Sequence, residues 1–431
     1  MKRTLDVTRS WFVPALAAFG LLVAYATPAL ADDDDDVVPG EVAVKLTPGF
    51  TIQEFAARYG TPILEAIPAT RTYLVRVTVG DEEEFVDILR GDPDVADAEP
   101  NFTGRDVNPD PGTQSIFVSS DLDAYVNQAP IDLIRADQAN ALSTGAGVTV
   151  AVIDSGIDVD HPQFAQRLAP GGRSFFGDPT DLADVGDRRD NDGDGLIDEA
   201  VGHGTLAAGL VVRVAPDALI LPLRVMDSDG FTSTFDMANA VYYGMEQGAQ
   251  VLNISMGSTR DTFVMFDAIT EAQRRGVVVV ASAGNEDTSS PVRFPAGYSD
   301  LGVVAVAATT LEDRRADFSN FGPHISLSAP GVDLTSTVPG SRYGRASGTS
   351  FAAPLVAGGA ALMFELDPEA HSAAISARLI RTADRISPLN PGYERFLGRG
   401  RLNLFNAVSG QWTAPPAPPR TPSRPPRPIG P

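Results

Sequence analysis

Four runs of this 431-residue chain are apolar almost without interruption and stop on polar residues or glycine: "GVTVAVID" (147–154), "AQVLNISMG" (249–257), "GVVVVASAGN" (276–285) and "LGVVAVAAT" (301–309). A strand with one wet face alternates apolar and polar residues. Unbroken Val, Ile and Ala instead fit strands buried on both faces, which points to a parallel sheet covered by helices. The intervening stretches agree, since "TFDMANAVYYGMEQG" and "TFVMFDAITEAQRRG" carry helical patterns. From about residue 129 to 410 the chain therefore reads as α/β, a mostly parallel central sheet flanked by helices.

A different pattern precedes it. Residues 40–104 read as strand ("EVAVKLT"), helix ("TIQEFAARYG", opened by a Thr51/Glu54 capping box), strand ("RTYLVRVTV"), helix ("DEEEFVDILRG", acidic in its first turn) and strand ("VADAEPNF"). With a β-α-β-β-α-β order this is a small ferredoxin-like α+β domain. Residues 105–128, rich in Asp, Asn, Pro and Ser, read as a linker. The last 21 residues, "QWTAPPAPPRTPSRPPRPIGP", form a Pro/Arg-rich tail unable to build a core.

The first 31 residues have the layout of a secretory signal. Lys2, Arg3 and Arg9 supply the basic start, "WFVPALAAFGLLVAYA" the apolar stretch, and "ALA" at 29–31 a cleavage site after Ala31. An uncleaved anchor is the alternative, but the segment is short and has no stop-transfer flank. The acidic run "DDDDD" (32–36) is a spacer, and no other segment reads as long and apolar enough to span a bilayer. The reading is of a bacterial protein that is secreted, extracellular or held in the cell envelope. A net charge of −23 argues against nucleic acid or anionic membrane as a partner.

The chain has no cysteine, which excludes both a disulfide framework and a thiolate nucleophile. Bound calcium is another way to staple a secreted fold, and "DNDGDGLIDE" (190–199) offers a place for it. Asp190, Asp192 and Asp194 followed by Gly195 match the start of a calcium loop, with the Leu196 carbonyl and Asp198 at its seventh and ninth positions. Alternating hard oxygen ligands suit calcium better than zinc. The glutamate of a full EF-hand is missing, because Val201 stands at the twelfth position and Glu199 is the nearest substitute. The competing reading is a solvated acidic loop.

In parallel α/β sheets chemistry gathers at the carboxyl ends of the strands. Asp154 closes the run "VTVAVI"; His203, in "GHGTLAAGLV", sits between glycines that permit close approach; Asn285 ends "VVVVASAGN"; Ser350, in "SGTSFAAPLVAG", opens a long apolar helix. Singly, these read as an Asx turn, a core histidine, a turn residue and a helix cap. Together they are the parts of nucleophilic acyl transfer: a hydroxyl, an imidazole to take its proton, a carboxylate to steady the imidazolium, and a donor for the oxyanion.

"VAVIDSGIDVDHPQF", "GHGTLAAGLV", "VLNISMGS", "ASAGN" and "SGTSFAAPLVAG" together resemble the successive motifs of the subtilisin-like serine peptidases (subtilases), in that family's order of Asp, His and Ser. The resemblance covers residues 129–410. It implies a serine endopeptidase with Asp154, His203 and Ser350 as its triad and Asn285 as an oxyanion-hole side chain. It also implies that Ser255, Met256 and Gly257, with Ser282, Ala283 and Gly284, hold a substrate peptide as an added strand and line its primary pocket. His161 would support the Asp loop. Where the family usually has His, Met and His, this chain has Leu206, Phe351 and Leu355.

The 40–104 domain resembles the family's inhibitory propeptide, which implies a self-processing precursor whose own prodomain is an intramolecular inhibitor. The cut is expected near residues 103–122. Two rival readings exist. A lipase or esterase would need Gly where Ala352 stands and a catalytic histidine after the serine, leaving only His371. A catalytically silent secreted calcium-binding or adhesive scaffold would not need Asp154, His203, Ser350 and Asn285 all intact.

Overall fold

The computed structural model describes residues 37–105, 121–191 and 195–409. The signal-like segment, the acidic spacer, Asp192 and Asp194, residues 106–120 of the expected linker and the tail at 411–431 lie outside the described residues.

The N-terminal domain comprises β1 (Val37–Leu46), α1 (Ile52–Tyr59), β2 (Ile63–Ile67), β3 (Thr72–Arg76), α2 (Glu82–Arg90) and β4 (Val95–Arg105). Its antiparallel sheet has the order β2-β3-β1-β4, the ferredoxin-like arrangement. The capping box that opens α1 is present: Thr51 Oγ1 accepts the Glu54 N–H at 3.2 Å, and Glu54 accepts the Thr51 N–H at 2.8 Å. Both helices lay an apolar stripe on the sheet, burying Phe55, Val86 and Leu89 against Val42, Val44 and Val75.

The remainder runs through α3 (Leu122–Val126), α4 (Ala129–Leu133), α5 (Ala136–Asn140), β5 (Thr149–Asp154), β6 (Arg173–Ser174), α6 (His203–Val214), β7 (Leu219–Arg224), β8 (Phe231–Ser233) and α7 (Thr234–Glu246). It continues with β9 (Val251–Ile254), α8 (Phe263–Arg274), β10 (Val278–Ser282), β11 (Val304–Thr309), β12 (Leu327–Pro330), β13 (Leu334–Val338), β14 (Arg342–Ala346), α9 (Thr349–Leu366), α10 (Ser372–Arg381) and α11 (Leu404–Val408). Seven strands form one sheet, β12-β11-β10-β9-β5-β7-β6, and every pairing in it is parallel. The apolar runs owe their lack of alternation to two covered faces. In β5, Val150 and Val152 enter the core shared with α6 and α9, while Ala151 and Ile153 enter the core shared with α7 and α8.

Two features differ from the sequence reading. The helix α9 is long and apolar enough to cross a membrane by length and composition, yet 89% of that stretch is buried, so it is the protein's core helix. The segment read as a linker as far as residue 128 rejoins the fold at α3. There Tyr125 is buried and its hydroxyl donates to the Gly209 carbonyl at 2.8 Å, and Gln128 exchanges hydrogen bonds with the Thr335 backbone at 2.8 and 3.0 Å. One aromatic ring and one amide buried far along the chain anchor a stretch whose composition looks loop-like.

The two parts share a sheet edge. Residues Thr103, Gly104 and Arg105 of β4 pair antiparallel with Ser233, Thr232 and Phe231 of β8.

Candidate active site

Strand order reverses around β5, whose neighbours β9 and β7 lead the chain to opposite edges. The crevice outside the carboxyl end of such a strand is where ligands bind in open α/β sheets. Asp154 is the last residue of β5 and His203 the first of α6, and both are almost fully buried. His203 Nδ1 lies 2.7 Å from Asp154 Oδ1, which also accepts the Ser155 N–H at 2.8 Å. Gly204 makes this approach possible, because a Cβ there would meet the Gly156 carbonyl and lie 3.1 Å from both Asp154 Cβ and Oδ1.

The first turn of α6 has no capping side chain of its own, since its N-cap is Gly202. Asp184, from a distant loop, supplies the acceptor. It takes the Gly202 N–H at 2.8 Å, the Thr205 N–H at 3.0 Å and the Thr205 hydroxyl at 2.6 Å. It also accepts the Ser155 hydroxyl at 3.1 Å, and that hydroxyl in turn accepts the Gly204 N–H at 3.0 Å. Burial pushes the Asp184 carboxyl above its usual range, and the nearby Asp154 charge pushes the same way.

Ser350 is the second residue of α9 and is buried. Its carbonyl accepts the Ser255 hydroxyl at 2.8 Å. The next residue, Phe351, packs on His203 with ring centroids 4.9 Å apart. The start of α9 therefore adjoins the imidazole, and Leu206 and Leu355 fill the core behind it. Asn285 Oδ1 accepts the Thr349 N–H and hydroxyl, both at 2.9 Å, and Thr349 Oγ1 accepts the Gly284 N–H at 3.0 Å. These bonds fix the amide with its oxygen on Thr349 and its Nδ2 on the side of Gly348, 3.5 Å from where a Cβ on that glycine would sit.

The segments expected to meet substrate flank this point. Gly257 exchanges two backbone hydrogen bonds with Arg105, both at 3.1 Å, so the end of β4 lies between β8 and Gly257 as an added strand. The Ser255 side chain is turned toward α9, and Met256, Ser282 and Ala283 are buried. Gly257 and Gly284 both face the stem of Arg293: Cβ atoms added to them would lie 3.4 Å from Arg293 Cβ and 3.2 Å from its Cγ. The Arg293 guanidinium pairs with Glu286, which also accepts the Asn320 amide. Local sequence gave no sign of this pair. His161 is structural, accepting the Gln163 N–H at 3.2 Å and meeting the Arg342 carbonyl at 2.9 Å, and His371 caps α10. His324 is partly buried, which lowers its pKa.

The acidic loop is held from within. Asp190 accepts the Gly195 N–H at 3.1 Å. Asp198, at a positive φ of 60°, accepts the N–H groups of Asp187 and Arg188 at 2.8 and 3.1 Å. Asp229 accepts the N–H groups of Asn191 and Asp198. Among the described residues no group of three or more acidic or histidine side chains stands ready for a metal.

The N-terminal domain contacts the same region through charge. Glu99 and Asn101 lie two apart on β4 and so share a face. Glu99 accepts the Phe263 and Val264 N–H groups at the start of α8, at 3.0 and 3.3 Å, and Asn101 Oδ1 accepts the Phe235 N–H at the start of α7 at 3.2 Å. Lys45 pairs with Asp267 at 2.6 Å. In the seam, burial raises Asp236 to about 7 against an ordinary 3.8, and repulsion from Glu65 and Glu41 adds to it. Burial raises Glu65 as well.

Residues 145–400 match the subtilase family, and residues 24–101 match the fervidolysin N-terminal prodomain. The chain is 32% identical over 376 residues to the thermophilic serine proteinase of Bacillus sp. (strain AK1), covering 86% of this chain and 88% of that one. It is 35% identical over 285 residues to thermitase of Thermoactinomyces vulgaris, covering 64% of this chain and 93% of that one. Its fold matches the crystal structure of fervidolysin from Fervidobacterium pennivorans with a TM-score of 0.70 at 24% identity, over 88% of this chain. The chain spans 62% of that protein, which is described as a keratinolytic enzyme related to subtilisin.

The raised Asp236 has a consequence for how tightly the two parts hold together. Between pH 3.8 and about 7 the docked form keeps a proton that the solvated carboxyl releases, so docking weakens as pH rises from about 3.8 to about 7 and is level above it. The unfolding midpoint of the full chain should fall between about pH 4.5 and about pH 7 and level off above it, and Asp236→Asn should flatten that fall. An equal pH dependence in the variant would show that the seam does not titrate there.

Proposed function

Starting from the fact that the chain belongs to the subtilase family, we propose that this prodomain-bearing serine endopeptidase cuts peptide bonds through Ser350, His203 and Asp154. Ser350 Oγ attacks the scissile carbonyl while His203 Nε2 takes its proton and later delivers it to the leaving amine. Asp154 accepts the Nδ1–H, sets the tautomer and steadies the imidazolium. The Asn285 amide and the Ser350 N–H, at the positive end of α9, donate to the oxyanion. The single observation that carries this reading is the buried 2.7 Å contact between Asp154 and His203, set at the carboxyl end of β5 beside the start of α9.

The same reading extends to the chain's life cycle. Residues 1–31 direct secretion and are removed, 32–39 are a spacer, and 40–104 are the prodomain that inhibits in place by laying β4 where a substrate strand would lie. The chain is then cut by its own Ser350 between Arg105 and about residue 122, freeing the catalytic domain (129–410) with its tail (411–431). Protein and peptide chains are the substrates. The Ser255–Gly257 and Ser282–Gly284 segments meet the substrate mainly through backbone, given how deeply their side chains are buried.

Full chain and its Ser350→Ala variant, compared by intact mass over time, test the nucleophile and the processing together. Wild type should lose a fragment ending between Arg105 and residue 122 while the variant stays whole. Identical trimming in both would assign the cut to another protease.

A calcium ion held by Asp190, Asp192, Asp194 and the Leu196 carbonyl belongs to the same reading, with Asp198 acting through the backbone it already binds. Bound there, it would stiffen the loop that leads into His203. Chelation should lower the unfolding midpoint by about 5 °C, and Asp194→Ala should abolish the response. An unchanged midpoint on chelation would remove calcium from the account.

A further inference from the structure

Catalysis by an Asp–His pair needs more than two residues in contact. A strand end and a helix start must be held in one register, and here neither element can do it alone. The α6 helix begins on a glycine cap with no side chain. The carboxylate that replaces the cap stands 18 residues upstream, at Asp184, and it binds both elements at once.

We propose that Asp184 is a positioning residue for the Asp154–His203 pair. Its two oxygens divide the work. Oδ1 accepts the Gly202 N–H at 2.8 Å and the Ser155 hydroxyl at 3.1 Å, joining the residue before His203 to the residue after Asp154. Oδ2 accepts the Thr205 N–H at 3.0 Å and its hydroxyl at 2.6 Å, two residues beyond His203. Ser155 Oγ closes the ring by accepting the Gly204 N–H at 3.0 Å, and Thr205 Oγ1 accepts the Asp158 N–H at 3.0 Å. His203 is thus bracketed at positions 202, 204 and 205 by bonds that lead back to the Asp154 loop. The α6 helix can neither turn about its axis nor slide along it without breaking one of them.

All four groups facing Asp184 are donors, so an ionised carboxylate satisfies every one. Asparagine cannot. Each oxygen position carries one backbone N–H, and whichever way the amide is turned, its NH2 meets one of those donors head-on. Serine and threonine hydroxyls can rotate away, but backbone N–H groups cannot. Asp184→Asn therefore unlatches one side of the ring in a nearly isosteric way.

The inference rests on the triad reading. Displacement of a catalytic group by about 1 Å costs on the order of 10²-fold in turnover, so a partial release should cost somewhat less. We expect Asp184→Asn in the full chain to lower kcat on a peptide substrate by about 10- to 100-fold with KM within about twofold of wild type. The downfield proton NMR line of the His203 Nδ1–H···Asp154 bond should shift or broaden in step. Ser155→Ala, which removes the two bonds of that hydroxyl but leaves Asp184 with the Gly202 and Thr205 donors of the helix start, should show the same changes to a smaller degree and guards against a folding defect in the first variant. Wild-type kcat and an unmoved NMR line in folded Asp184→Asn would overturn the proposal while leaving the triad standing. A wild-type chain that neither turns over peptide nor shows the line would overturn both.

Discussion

A carboxylate and an imidazole buried together are costly to assemble, and the rest of this fold follows from assembling them. Removing one charge from water costs several kcal/mol unless geometry and hydrogen bonds return it. Asp154 meets that condition with the His203 ring and the Ser155 N–H. The sheet brings the carboxylate to a strand end where the chain order reverses. The glycine at 204 admits it to the helix, and Phe351 and Leu206 exclude water behind it. A pair in contact within a low-dielectric pocket can hold an imidazolium in the transition state far better than the same pair in water.

The prodomain uses the same physics from outside. Its β4 strand adds to β8 and Gly257 through main-chain bonds, the general way a peptide binds an open edge. Glu99 and Asn101 then serve as acceptors for the first N–H groups of α8 and α7, where a helix offers partial positive charge. Each such cap contributes about 1 kcal/mol, a modest sum. Against it stands the cost of burying Asp236 and Glu65 in the seam, which raises both carboxyls above their ordinary range.

How much of this could be read from the chain depended on range. The apolar runs of β5, β9, β10 and β11 were legible because burial on both faces leaves a mark in every residue. The Thr51/Glu54 box was legible because its two partners lie three residues apart. Asp154 and His203 stood out by their places at a strand end and between glycines. Asp184 did not, since it sits among many aspartates and its partners are 18 to 29 residues away. Glu99 was hidden more deeply: its partners lie 164 and 165 residues on, and a polar residue alternating along a strand looks like a solvated face. Tyr125 and Gln128 were masked by linker-like neighbours, although each is anchored in the catalytic body.

On the proposed mechanism, one hydroxyl of the chain, that of Ser350, is a nucleophile. Treating the folded protein with a serine-directed fluorophosphonate and locating the adduct by peptide mass spectrometry tests it most directly. The expected result is a single adduct on Ser350 that disappears in His203→Ala. A folded, prodomain-free protein that takes up no label, or takes it at a different serine, would contradict it.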